Sequence, residues 1–241
     1  AVESLSILEI VVALVAVAVS AAIQGVIGFA FGLIAASVIA LIEPSALPAT
    51  LLLLALPLGI WMAVRESKAI DVPGFAQMTA GRIAGTVAGA WLLIEVPEDK
   101  LALLLGGSIL AAVFISVVAS DFEAGPRSRV AAGGISGLMG TVGGMGGPAM
   151  ALAYQKRSGA ELRATIAASV IVGSIFSLGA LLVAGRLHAW HFTLALILLP
   201  AELIGLMAST RLIQGIDKGW LRPAVLAFAA FGGATVVIEA L

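Results

Sequence analysis

The sequence predicts an all-α polytopic membrane protein of two inverted repeats, each a glycine-broken, re-entrant helix pair plus three transmembrane helices. Three observations carry this reading. Of 241 residues, 61% are hydrophobic and 11% charged, too few charges to cover a water-facing domain. Apolar stretches of spanning length recur at 5–42, 45–64, 75–96, 101–119, 130–154, 164–185, 190–213 and 220–240, with no segment left over for a soluble domain. The chain also resembles itself: a separation of 115 residues pairs Gly25 with Gly140, Gly28 with Gly143, Gly32 with Gly147, and Ala49-Thr50 with Ala164-Thr165. The repeats are read as 1–123 and 124–241 within one integral membrane domain.

The first apolar run lacks a basic flank and outlasts the apolar core of a secretory signal, so a membrane helix is expected there, in a chain that reads as trimmed because it begins at Ala1. It breaks at "QGVIGFAFG", residues 24–32. Residues 5–24 are long enough to span, and the shorter run 33–42 returns to the starting side at Glu43. The second run is headed by Ala49-Thr50, and the third carries Arg82 in "AGRIAGTVAG", where Gly81, Gly85 and Gly89 recur every four residues. That spacing in an unbroken helix predicts close helix packing. The run 101–119 closes the first half.

The second half repeats the order. Its first run breaks at "GTVGGMGGP", residues 140–148. The flanking segments 130–141 and 149–158 have about ten residues each, ~15 Å of helix, which reaches only the middle of a ~30 Å core. Gly133 and Gly137 are assigned to packing. The next run begins with Ala164-Thr165, and the following one holds Glu202 in "LLPAELIGLMAS". Here a separation of 120 aligns Gly85 with Gly205 and sets Arg82 opposite Glu202. The run 220–240 ends the chain.

Counting loop cations decides between two threadings, because cytoplasmic loops carry the excess of Lys and Arg. If all eight runs cross once, the count is five against seven. If each glycine-broken run is a hairpin, Arg65, Lys68, Arg127, Arg129, Lys156, Arg157, Arg163, Arg211, Lys218 and Arg222 share one face, and only Lys100 and Arg186 lie opposite. The hairpin threading leaves three crossings per half, an odd number, so the second half enters upside down. Both termini then lie on the non-cytoplasmic side of the inner membrane.

Backbone that leaves the helix in hydrocarbon exposes polar groups at several kcal/mol each, so such breaks persist where protein or a watery cavity satisfies them. Glycine permits a sharp reversal and leaves the amides bare, and Pro148 suits the start of the returning helix. Helix N-termini carry partial positive charge and unpaired donors, so the break predicts an anion site at mid-membrane. Its expected lining is Gly143, Gly144, Gly146 and Gly147 from the second half, with Gln24, Gly25 and Gly28 from the first. Phe29 and Phe31 stand where the second half has Gly144 and Gly146.

The stretch "GGISGLMGTVGGMGGPAMAL", its degenerate partner "AAIQGVIGFAFGLIAAS" and the Ala-Thr pair heading the next helix in each half resemble the TauE/SafE family of sulfite and organic-anion exporters, over essentially the full length. The resemblance implies export of small sulfur-containing anions such as sulfite or sulfoacetate.

Ionisable residues inside spanning helices are functional candidates by default. Arg82 is read as neutralising the substrate, since a guanidinium stays charged and its planar fork fits sulfonate or carboxylate oxygens. Snorkelling of Arg82 to the interface, or pairing with Glu202, stays open. Glu202 is a candidate counter-ion or proton carrier. Thr50, Thr141 and Thr165, with Ser169 and Ser174, are candidate hydroxyl donors, or they bond their own helix backbone. Trp61, Trp91, Trp190 and Trp220 lie near helix ends, where indoles anchor at the interface.

Other classes are less well served. No cysteine occurs, and His188 and His191 without a carboxylate or thiol nearby make a poor metal site, so no metal or cofactor is expected. A net charge of −1 without a basic tail argues against nucleic acid. No H-E-x-x-H or G-x-S-x-G motif supports an intramembrane enzyme. The alternative to a secondary transporter is an anion channel or uniporter. The expected partners are a small anion and the lipid bilayer, with proton coupling and a homodimer left open.

Overall fold

The computed structural model describes residues 5–97, 100–118, 125–213 and 218–241. Among these, every regular element is helical: α1 (Ile7–Ile27), α2 (Phe31–Ile42), α3 (Ala49–Arg65), α4 (Val72–Glu95), α5 (Leu101–Val118), α6 (Pro126–Gly143), α7 (Gly147–Tyr154), α8 (Gly159–Val183), α9 (Ala189–Leu212) and α10 (Lys218–Glu239). The expected boundary between repeats, at 123/124, lies outside the described residues. By length and composition alone, α1, α5, α8 and α9 can cross a bilayer. Helix α4 is equally long but is diluted by glycines and by Gln77, Thr79, Arg82 and Thr86. Large apolar side chains such as Val15, Val87, Phe114, Leu182, Leu196 and Phe231 point outward, a surface suited to lipid. Together these features make the chain a multi-pass membrane protein.

The packing is reciprocal. The first helix of each half lies against the fourth helix of the other: α6 on α4, and α1 on α9. Small residues permit it, as expected for Gly81, Gly85, Gly89, Gly133 and Gly137. A Cβ on Gly81 would strike the carbonyl of Val130, one on Gly85 that of Gly134, and one on Gly137 that of Arg82. Across the other pair, Gly205 abuts the Ala18 carbonyl and Gly25 abuts the Ser209 side chain. In both pairs the contacts climb together along the two chains, so the helices run in the same direction. Helices α3 and α8 pack on each other between these pairs, and α5 packs on α10.

Loop contacts define two faces. On one, Tyr154 Oη donates to Asp71 Oδ2 at 2.7 Å, Arg129 pairs with Asp71 at 3.3 Å, and the Asp71 amide donates to Thr165 Oγ1 at 3.0 Å. On that face Arg163 also grips Glu66 through Nε and Nη2 at 2.7–3.1 Å. On the other face, His191 Nε2 lies 3.1 Å from the Ser45 carbonyl oxygen, and Arg186 Nη2 donates to the carbonyls of Leu93 and Val96. Arg65, Arg129, Arg157 and Arg163 therefore share a face remote from Arg186, as in the hairpin threading. A single crossing of every run would have separated Arg129 from Arg163.

The arms of the second hairpin differ from the equal halves expected. Helix α6 has 18 residues and α7 only eight, ~27 Å against ~12 Å. The outgoing arm begins earlier than the apolar run, with Pro126 in its first turn and Arg129 still at the charged face. In the first half α1 has 21 residues and α2 twelve, the complete helix and shorter return expected there.

Candidate functional site

Each hairpin turns through a glycine in left-handed backbone, Gly28 at φ 99° and Gly144 at φ 74°, a conformation that side chains disfavour. The two elbows meet. A Cβ on Gly147 would lie 3.3 Å from the Phe29 backbone, and one on Gly32 would lie 2.6 Å from the Gly144 carbonyl oxygen.

The elbows are finished differently. At the first, Gln24 Oε1 accepts from the Phe31 amide and Nε2 donates to the Gly28 carbonyl, both at 2.8 Å, so one side chain spans the break and caps α2. The last carbonyls of α1 are met by cations: Arg65 Nη2 donates to Gly25 O at 2.8 Å and Arg163 Nη1 to Val26 O at 3.3 Å, the favourable charge for a helix C-terminus. At the second elbow Gly146, the N-cap of α7, supplies no side-chain cap.

Arg82 lies at that second elbow, 2% exposed. Its Nη1 donates to Ser136 Oγ at 3.3 Å and lies 3.9 Å from Met150 Sδ. Glycines hold it on three sides. A Cβ on Gly140 would be 3.1 Å from Nη2, one on Gly146 3.3 Å from Nη1, and one on Gly173 of α8 would overlap Nε and Cζ. The guanidinium therefore neither snorkels nor pairs with Glu202.

Buried hydroxyl groups on α4, α6 and α8 lie within about a turn along the chain of these contacts. Thr141 Oγ1 and Ser177 Oγ share a hydrogen bond of 2.8 Å. Arg82 Nε, Thr86 Oγ1 and Ser174 Oγ are buried with no hydrogen-bond partner among the described residues. An unmet polar atom in the interior costs ~1–3 kcal/mol, so three on adjoining helices call for an explanation.

The other expected residues are dispersed. Thr165 holds the Asp71 amide at the charged face, Ser169 bonds the Thr165 carbonyl, and Thr50 Oγ1 is buried without a partner among the described residues. Gly143 abuts Met145, Ser108 and Leu105. Glu202 is fully buried on α9, and both of its oxygens lack a partner among the described residues. A cavity of about 680 Å³ opens toward the opposite face between Glu43, Leu93, Arg186, His188 and His191, and none of the expected site residues lines it. Trp190 stacks on His191 with ring centroids 3.9 Å apart, which ties it to protein, whereas Trp91 faces outward. The Trp220 side chain lies outside the described residues.

Sequence reasoning missed Ser136, Met150, Gly173, Thr86 and Ser177. Gly173 alone carried a readable signal, as a glycine within an apolar run at the level of the ionisable residue, but nothing in its neighbours names Arg82.

Neither a curated protein nor a solved structure matches the chain. The family model for sulfite exporter TauE/SafE matches residues 12–236, nearly the whole bundle with both elbows and the Arg82 cluster, and the chain thus belongs to this family of membrane transporters.

Proposed function

We propose that the chain is a secondary transporter that exports small sulfur-containing or organic anions, such as sulfite, across the cytoplasmic membrane by alternating access. One observation carries the reading: a buried guanidinium with no carboxylate partner among the described residues, set beside the uncapped N-terminus of an elbow helix. An arginine in that position recognises an anion by charge and by paired N–H donors. Ser136, Thr86, Ser174 and Thr141 add neutral donors, and Gly146 and Gly147 let a ligand approach the α7 amides. Gly144 shapes the turn, and Gln24 keeps the first elbow rigid with Gly25 and Gly28.

The parallel α4–α6 and α1–α9 pairs support an inverted repeat, with each half holding the other at the level of the site. The cation-rich face is assigned to the cytoplasm, which sets both termini outside. Export of an anion then runs with an inside-negative potential, about 2.3 kcal/mol per charge per 100 mV. Glu202, buried and without a cation among the described residues, is the candidate proton carrier.

The test is flux in proteoliposomes. Arg82→Ala is expected to lose saturable anion exchange, and Glu202→Gln to lose its response to a proton gradient while exchange persists. Flux that never saturates and shows no exchange would point to a channel instead. Normal transport by Arg82→Ala would refute the site.

A further inference from the structure

The charge inventory around Arg82 narrows the substrate. Helix α4 packs on α6 and α8, and Met150 of α7 touches the guanidinium. The other charged side chains on these helices sit at the two faces, Glu95 exposed at the far end of α4 and the rest at the charged face. Arg129 is paired with Asp71 at 3.3 Å, Arg163 with Glu66 at 2.7 Å and Arg157 with Glu161 at 3.7 Å, and Arg127 is exposed. Among the described residues, the only charge in the buried cluster is therefore the single positive one of Arg82. Every other polar group there is a hydroxyl: Ser136, Thr86, Ser174, Thr141 and Ser177.

From this we infer that the site, taken as the transport site proposed above, selects singly charged oxyanions and rejects doubly charged ones. One negative charge on the ligand neutralises the guanidinium. A second would be buried among hydroxyls with no cation to meet it, and an uncompensated interior charge costs several kcal/mol. Hydroxyls and the α7 amides stabilise the spread charge of one sulfonate or hydrogensulfite head without supplying a full second positive charge. Of the candidate substrates, the hydrogensulfite form of sulfite fits, and sulfoacetate, which carries both a sulfonate and a carboxylate, does not.

The experiment compares uptake of methanesulfonate, sulfate and ethane-1,2-disulfonate into proteoliposomes at neutral pH, where none of the three changes charge. Sulfate and methanesulfonate are similar in size, so charge is the variable that separates them. Methanesulfonate should be preferred over both dianions by about a hundredfold in apparent affinity, and the preference should persist in Arg82→Lys, which keeps the charge. Arg82-dependent uptake of sulfate or the disulfonate within about threefold of methanesulfonate would overturn the inference while leaving the transport reading intact, since threefold is well under one uncompensated charge. Absence of saturable flux for all three anions and for sulfite would overturn both.

Discussion

Gly173→Ala tests the Arg82 site without touching the arginine. A Cβ at 173 would overlap Nε and Cζ of Arg82, and the guanidinium has little room to retreat, because Gly140 and Gly146 close on Nη2 and Nη1 and Ser136 holds Nη1 at 3.3 Å. Overpacking of this kind costs about 1–3 kcal/mol, and a displaced charged hydrogen bond about 1.5–3 kcal/mol. If that second cost falls on anion binding, apparent affinity drops roughly 10- to 100-fold at 1.4 kcal/mol per decade. The assay is saturable sulfite exchange in proteoliposomes, with thermal unfolding of the detergent-solubilised protein alongside. Gly179→Ala on the same helix is the control, since nothing lies within 4 Å of its added carbon and alanine is the better helix former by ~1 kcal/mol. Its exchange should be unchanged. If Gly173→Ala exchanges with the parental apparent affinity, the guanidinium is not held where binding requires it, and the assignment of Arg82 as the anion's partner fails.

Other substitutions probe the scaffold. Gly85→Ala and Gly137→Ala drive a methyl into backbone carbonyls of the facing helix and should destabilise the fold by ~3 kcal/mol or more, because backbone yields less readily than a flexible side chain; wild-type melting would contradict the α4–α6 contact. Gln24→Ala removes both bonds across the first elbow and should cost about 1–3 kcal/mol, read as a lowered midpoint of unfolding. Burial alone would raise the Asp71 carboxyl, but bonds from Tyr154 and the Gly74 amide, with Arg129 nearby, hold it below its ordinary 3.8. A depressed folded value means a contribution that is full above the unfolded value and is lost as pH falls through the folded one. Asp71→Asn should therefore be less stable at neutral pH and flatter on acidification, and identical acid profiles would refute the role. Glu66→Gln leaves Arg163, 8% exposed, without its anion, and a melting temperature equal to wild type would show that this latch carries no stability.

Much of the architecture was legible because it depends on local composition. The runs around Leu105 and Leu198 read as membrane helices from apolar length, and "GTVGGMGGP" read as a break because no helix tolerates that glycine density with a proline. The partition of Arg129 and Arg163 onto one face followed from a cation count, a sum that needs no knowledge of contacts. The arm lengths of the second hairpin were less readable. Polar Arg127 and Arg129 masked the start of α6, which extends beyond the apolar stretch into the interface. The cluster at Arg82 was half legible: its charge and Thr141 were marked, but Ser136 and Gly173 lie 54 and 91 residues further along the chain.

By itself the sequence determined a repeated, all-helical membrane chain with two glycine elbows and two interior ionisable residues, because hydropathy, chain stiffness and spacing are properties of neighbouring residues. Only the tertiary structure decided how each elbow is finished. Gln24 seals the first by bonding across its own turn, while the second has no side-chain cap and sets Gly146 against Arg82. It also decided that Arg82 and Glu202, matched by repeat position, do not meet. The reason is physical: which groups share a buried space depends on how helices of one half cross those of the other, and the partners of a buried charge are set by that crossing.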